Sequence, residues 1–286
     1  MSKVHQTQAC RIEGSGGMTL AADIGGDPQA PPVILLHGGG QTRHSWLGAM
    51  NALLERGYRV INIDARGHGQ SDWSPQADYS LDALADDLLA VIDSLPSPPV
   101  IVGASMGGMT ALHTIARESR AIARTLVMVD VVPHMKPEGI ARIVSFMLSN
   151  KQGFSTIEEA ADAVSVYNPH RPRPRDLSGL YKNLRRREDG RLHWHWDPAF
   201  FSENKAPPII TGADAPSRFI NVRLPVMLVR GMRSDLVTDD GVRHFRNLIS
   251  GLEVFDVADA GHMVVGDRND AFNQGILAFI QRHVPT

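Results

Sequence analysis

The sequence predicts an α/β protein with a mostly parallel central sheet flanked by helices and a helical cap insertion. Three observations carry this expectation. Six short runs, at 33–37, 60–64, 100–104, 125–130, 226–230 and 253–257, are rich in Val, Ile, Leu or Met and near-continuously apolar. That character suits strands buried on both faces of a parallel sheet. Helical patterns lie between most of these runs, and such alternation argues for crossover-connected parallel strands. The alternation then stops between Pro133 and about Arg218, too long a stretch for a plain loop in a compact domain.

Taken in order, the segments at 10–13 and 18–23 read as leading antiparallel strands. The stretch 80–95, SLDALADDLLAVIDSL, reads as a helix capped by Ser80 with acids in its first turn. Further helices are expected over 106–118 and 267–284. Within the interrupted region, Thr156-Ile157-Glu158-Glu159 has the form of a capping box, and a Pro-rich basic stretch, NPHRPRPRDL, follows it. The expected organisation is a core over 1–132, a mainly helical cap over 133–218 and the rest of the core over 219–286. The cap is expected over the carboxyl ends of the strands, where open α/β sheets hold their ligands.

The composition narrows the class of function. The chain has 286 residues with a formal charge of −2, which gives no reason to expect nucleic acid or an anionic membrane as a partner. A single cysteine, Cys10, excludes an internal disulfide. The opening residues lack an apolar core of signal-peptide length, and no run approaches the roughly 18 apolar residues of a membrane span. A cytoplasmic protein acting on a small molecule is the expectation, and oligomeric state is left open.

The strongest local signal is Val100-Ile101-Val102-Gly103-Ala104-Ser105-Met106-Gly107-Gly108. It is a strand, then G-x-S-x-G, then a helical pattern. A serine at a sharp strand-to-helix turn needs small residues two before and two after it, so that neighbouring backbone can approach. Such a turn lifts the Ser105 hydroxyl above the sheet. It also frees the Met106 N–H, at the helix start, to stabilise an oxyanion. A bare glycine turn with a capping serine would share the local pattern but not the partners that follow.

Five segments in order carry a wider resemblance: His37-Gly38-Gly39-Gly40, Asp64-Ala65-Arg66-Gly67-His68-Gly69-Gln70-Ser71, Gly103–Gly107, Gly231-Met232-Arg233-Ser234-Asp235 and Gly261-His262. Together they resemble the α/β-hydrolase superfamily, in its capped single-domain members. The resemblance covers nearly the whole chain outside the cap. It implies that the loop after the first parallel strand supplies an oxyanion donor, Gly39 first and Gly40 as the alternative. His37 is read as fixing that loop, and Asp64–Ser71 as a structural turn beside the site.

A weakly nucleophilic hydroxyl needs an adjacent base, and the base an orienting acid. Of twelve histidines, His262 follows the last strand and satisfies the chain order Ser, acid, His. For the acid, the resemblance favours Asp235, after the run at 226–230. Asp130, ending the run at 125–130, is the alternative that some members use. Asp239 and Asp240 read as first-turn acids of the next helix.

Within the cap, Trp194 and Trp196 are candidates for an apolar pocket wall, on one side together only if HWHW is extended. Trp46 is a third candidate for that wall. The leading expectation is a serine hydrolase of a carboxylic ester or lactone, needing no cofactor and no metal. C–C bond hydrolysis or perhydrolysis by the same triad is the alternative reaction. A ligand sensor on this fold is the alternative of another class. Epoxide hydrolases and haloalkane dehalogenases of the fold use an Asp nucleophile, and Ser105 argues against both.

Overall fold

Side chains of the central strands alternate between two buried faces, each covered by a helical layer. In the strand β3 (Pro32–Leu36), Val33 and Leu35 join one cluster, while Ile34 and Leu36 join the other. The same split holds in β5 (Val100–Ala104), where Val100 and Val102 face one way and Ile101 the other. The computed structural model describes residues 6–169, 173–200, 219, 222–258, 260–262 and 269–286.

The remaining strands of the main sheet are β1 (Thr7–Glu13), β2 (Thr19–Gly25), β4 (Arg59–Ile63), β6 (Thr125–Val129), β9 (Val226–Gly231) and β10 (Glu253–Val257). The eight strands run in the order β1-β2-β4-β3-β5-β6-β9-β10. β1 and β2 pair antiparallel, as does β2 with β4, and every other pairing in this sheet is parallel. The expected fold class therefore holds, with all six expected parallel strands present.

Helices α1 (Leu47–Glu55) and α7 (Asn269–His283) cover one face, through Met50, Leu53, Phe272 and Phe279. Helices α2 (Leu81–Asp93), α3 (Met106–Arg117) and α6 (Asp239–Leu248) cover the other, through Leu88, Met109 and Phe245. The caps follow the sequence: Ser80 Oγ accepts the Ala83 N–H at 3.2 Å, and Thr238 Oγ accepts the Gly241 N–H at 3.1 Å. Among the described residues, no helix is long and apolar enough to cross a membrane.

Between β6 and β9 lie helices α4 (Pro137–Leu148) and α5 (Ile157–Tyr167) and a short antiparallel hairpin, β7 (Leu184–Arg186) with β8 (Leu192–Trp194). The hairpin departs from the helical expectation. The alternation in HWHW is a strand signal, and Trp194 pairs with Leu184 in it. Met147, Phe154, Trp194, Trp196 and Phe200 form a third apolar cluster with Tyr79 and Leu84 of the core. Polar ties join the two parts: the Asp197 N–H donates to the Gly67 carbonyl at 2.8 Å, the Tyr79 hydroxyl to the Asp197 carboxylate, and Arg185 to the Gly69 carbonyl. The part of the expected cap over 201–218 lies outside the described residues, as do the first two residues of the helix expected over 267–284.

Candidate active site

The chain turns from β5 into α3 through Ser105, whose φ of 46° and ψ of −113° are strained for any residue with a Cβ. Close approach explains the glycines around it. A Cβ at Gly103 would lie 2.5 Å from the Gly107 carbonyl carbon, and one at Gly107 would lie 2.6 Å from the Leu36 oxygen. The turn is braced from the sheet, since the Ser105 N–H donates to the Val129 oxygen at 3.0 Å. Met106 is the first residue of α3, so its N–H has no acceptor within the helix.

The loop after β3 lies against this turn. A Cβ at Gly38 would sit 3.4 Å from the Ser105 Cβ. Two of its three glycine N–H groups are engaged: Gly38 donates to Gln41 Oε1 at 3.1 Å, and Gly40 to His68 Nε2 at 3.1 Å. Among the described residues no hydrogen bond engages the Gly39 N–H. The alternative donor, Gly40, is therefore occupied.

Two buried histidines, His37 and His68, hold this loop in their neutral form, and a third, His195, holds the Asp64–Ser71 turn beside it. His37 Nε2 accepts the Ala65 N–H at 2.9 Å, which leaves Nδ1 to donate to the Gly38 oxygen at 2.8 Å. His68 accepts from Gly40 on Nε2 and meets the Arg66 oxygen at 3.1 Å through Nδ1. His195, in the insertion, accepts the Gly69 N–H on Nδ1 at 2.6 Å. Burial lowers the pKa of all three, that of His68 to about 3 with a further push from His37. The Asp64–Ser71 turn is structural, as expected. Asp64 pairs with Arg43, and Arg66 grips Asp87 with two hydrogen bonds of 2.6 and 2.7 Å.

His262 meets a carboxylate, and that carboxylate belongs to Asp130. Asp130 Oδ2 lies 2.8 Å from His262 Nδ1. Asp130 is fully buried at the end of β6, with a φ of 48°. Its Oδ1 accepts the Gly231 N–H at 3.0 Å, and Oδ2 also accepts the Ser234 hydroxyl at 2.5 Å. The expectation for Asp235 is corrected accordingly. The loop after β9 turns Asp235 toward α4, where its carboxylate pairs with Arg142 at 3.0 Å and its side chain is 35% exposed. Gly139 of α4 packs on the Asp235 carbonyl, with room for no side chain.

Ser105 and His262 line one cavity of about 390 Å³, together with Gly39 and Gly40. Its roof comes from the insertion. Trp194 and Trp196 both line it, stacked at 5.1 Å with an interplanar angle of 11°. Both rings lie on the cavity side although β8 ends at Trp194 and the chain bends over His195 and Trp196. Trp46 does not line this cavity. It is fully buried against Phe272 under α7, because the 3-10 turn Arg43–Trp46 aims it into the core. Two residues with a part in this geometry lay inside quoted motifs without being assigned it: His68, within the D-x-R-G-H-G-x-S turn, and Ser234, one residue before Asp235.

A family model described as "alpha/beta hydrolase fold" matches residues 31–268. The chain is 30% identical over 246 residues to esterase Rv0045c of Mycobacterium tuberculosis, covering 84% of this chain and 79% of that one. It is 26% identical over 268 residues to the mouse sn-1-specific diacylglycerol lipase ABHD11, covering 90% and 83%. The solved structure of E-2-(acetamidomethylene)succinate hydrolase matches 96% of this chain and 100% of that one with a TM-score of 0.84. At 24% identity, that likeness speaks to the fold alone.

Proposed function

The chain belongs to the α/β-hydrolase fold family as a hydrolase of ester bonds, and from that premise we propose that it cleaves carboxylic esters or lactones of small to medium substrates through an acyl-enzyme on Ser105. The observation that carries this reading is the pairing of His262 Nδ1 with Asp130, at a cavity that His262 shares with the strained Ser105.

In this proposal Ser105 Oγ attacks the carbonyl carbon while His262 Nε2 takes the hydroxyl proton. Asp130 holds the Nδ1 proton, fixing the tautomer and stabilising the imidazolium. The N–H groups of Met106 and Gly39 take the charge that develops on the carbonyl oxygen. The tetrahedral adduct collapses, and the alcohol leaves with the proton from His262. Water, activated by the same histidine, then releases the acid and restores Ser105. The stretch 133–218 serves as the cap, its Trp194 and Trp196 forming an apolar wall for the substrate.

A panel of neutral p-nitrophenyl esters, lactones and vinylogous diketones tests the reaction class. Steady turnover of esters or lactones, abolished in Ser105→Ala, is expected. Turnover of the diketones alone would assign C–C hydrolysis instead. A single turnover without steady release would favour a sensor.

A further inference from the structure

The loop after β9 contributes a different residue from the one its position in the sequence suggested. Ser234 Oγ lies 2.5 Å from Asp130 Oδ2, the same oxygen that faces His262 Nδ1. The hydroxyl also receives two backbone N–H groups, from Leu236 at 3.2 Å and Val237 at 3.3 Å. A serine hydroxyl has one proton and two lone pairs. With both lone pairs engaged by N–H donors, its proton has Asp130 Oδ2 as its acceptor. The loop itself is fixed, since the Ser234 N–H donates to the Gly231 oxygen at 2.9 Å. The Gly231 N–H in turn holds Oδ1 of the same carboxylate at 3.0 Å.

We propose that Ser234 is a positioning residue that aims the Asp130 carboxylate at His262. This rests on the reading of Ser105, His262 and Asp130 as the triad. Asp130 leaves β6 with a left-handed φ of 48°, so the strand alone does not dictate where its carboxylate points. One backbone donor on Oδ1 leaves rotation of the carboxylate about that contact. A second, charge-assisted hydrogen bond on Oδ2 removes it. Without the Ser234 hydroxyl, Oδ2 turns away in a fraction of molecules, and His262 loses its tautomer control in those molecules. Ser234 touches neither the substrate nor the reacting atoms in this scheme, so its effect falls on kcat rather than on binding.

The test uses Ser234→Ala, Ser234→Thr and Ser234→Cys in the full chain, with p-nitrophenyl butyrate as the probe. A lost hydrogen bond to a carboxylate predicts a drop in kcat of about ten- to a hundredfold, with KM within about twofold. Threonine keeps the hydroxyl and should recover kcat to within about threefold of the parent, with cysteine between threonine and alanine. Because Ser234 acts through Asp130, adding Ser234→Ala to Asp130→Asn should cost less than about twofold more. An unchanged kcat in Ser234→Ala would overturn the proposal. So would a full additive loss in the Asp130→Asn background, or a threonine variant as poor as alanine. If Ser234→Ala is too unstable to assay, the order of threonine over cysteine decides, and equal rates for the two refute it. Ser105→Ala in the same assay separates the two levels, since its turnover at the parent rate would fell the triad reading itself.

Discussion

His262 Nδ1 lies 2.8 Å from Asp130 Oδ2, across 132 residues of chain, while Asp235 Oδ2 lies 3.0 Å from Arg142 of helix α4. The two carboxylates therefore have separable roles. Asp130→Asn should lower kcat on the order of 10⁴-fold, as for a triad given the wrong histidine tautomer. Asp235→Asn removes one half-exposed ion pair, and such pairs are worth little in water. Its kcat should stay within about threefold of the parent. Steady-state kinetics of the two variants side by side checks this, and a crippling effect of Asp235→Asn would reverse the assignment.

The elbow depends on backbone contact at Gly103. A Cβ there would lie 2.5 Å from three backbone atoms of Gly107 and Gly108, none of which can swing away as a side chain would. Gly103→Ala should cost about 1–3 kcal/mol of stability by overpacking and displace Ser105 enough to remove most activity. Gly48→Ala, in helix α1 where the nearest atom is 3.7 Å away in the Asn273 side chain, is the control and should keep full activity with stability equal to or up to about 1 kcal/mol above the parent's. Urea melts and ester turnover of both variants measure the difference.

Burial of His68 links folding to pH. Its pKa falls from 6.5 to about 3 on burial, so below pH 6.5 the unfolded chain binds a proton that the folded chain refuses. Stability therefore rises with pH through this window. The contribution is fully present above about pH 6.5 and is lost as pH falls toward 3. His37 and His195 act in the same direction. His68→Gln retains an acceptor for the Gly40 N–H but does not titrate. The slope of its unfolding free energy against pH, measured between pH 4 and 7, should be smaller than the parent's by the equivalent of up to about one proton. An identical slope in the two proteins would contradict a neutral, buried His68.

The proposed cap should set the size of substrate. A cavity of about 390 Å³ roofed by Trp194 and Trp196 suits a compact acyl group. Across p-nitrophenyl esters from acetate to palmitate, kcat/KM should peak at short to medium chains and fall by about tenfold or more at the longest. Brisk hydrolysis of an insoluble long-chain triglyceride would show that the cap does not restrict entry.

Much of this arrangement was legible in the residues, and the parts that were not have a physical reason. Continuous apolar runs marked the central parallel strands, because both of their faces are buried. The spacing around Ser105 marked the elbow, because only glycine permits backbone contact at Gly103 and Gly107. Asp130 and Asp235 both satisfied the chain order, and no local pattern tells which carboxylate faces a histidine. That choice depends on the left-handed turn at Asp130 and on α4 drawing Asp235 outward through Arg142. Trp46 was misread for a similar reason: a 3-10 turn decides which way its ring points, and its neighbours in sequence do not encode that. The β7–β8 hairpin was foreshadowed only by HWHW, since three-residue strands carry little periodic signal. His68 stood within a motif read as a turn, and its bond to Gly40 depends on a contact between separate loops.

Formation of an acyl-enzyme on Ser105 is the central claim, and covalent trapping tests it most directly. The protein is treated with a fluorophosphonate, digested and mapped by mass spectrometry, with Ser105→Ala treated in parallel. The account predicts one adduct, on the peptide bearing Ser105, stoichiometric with loss of ester hydrolysis and absent from Ser105→Ala. An adduct on another serine that abolishes activity while Ser105 stays unmodified would contradict it.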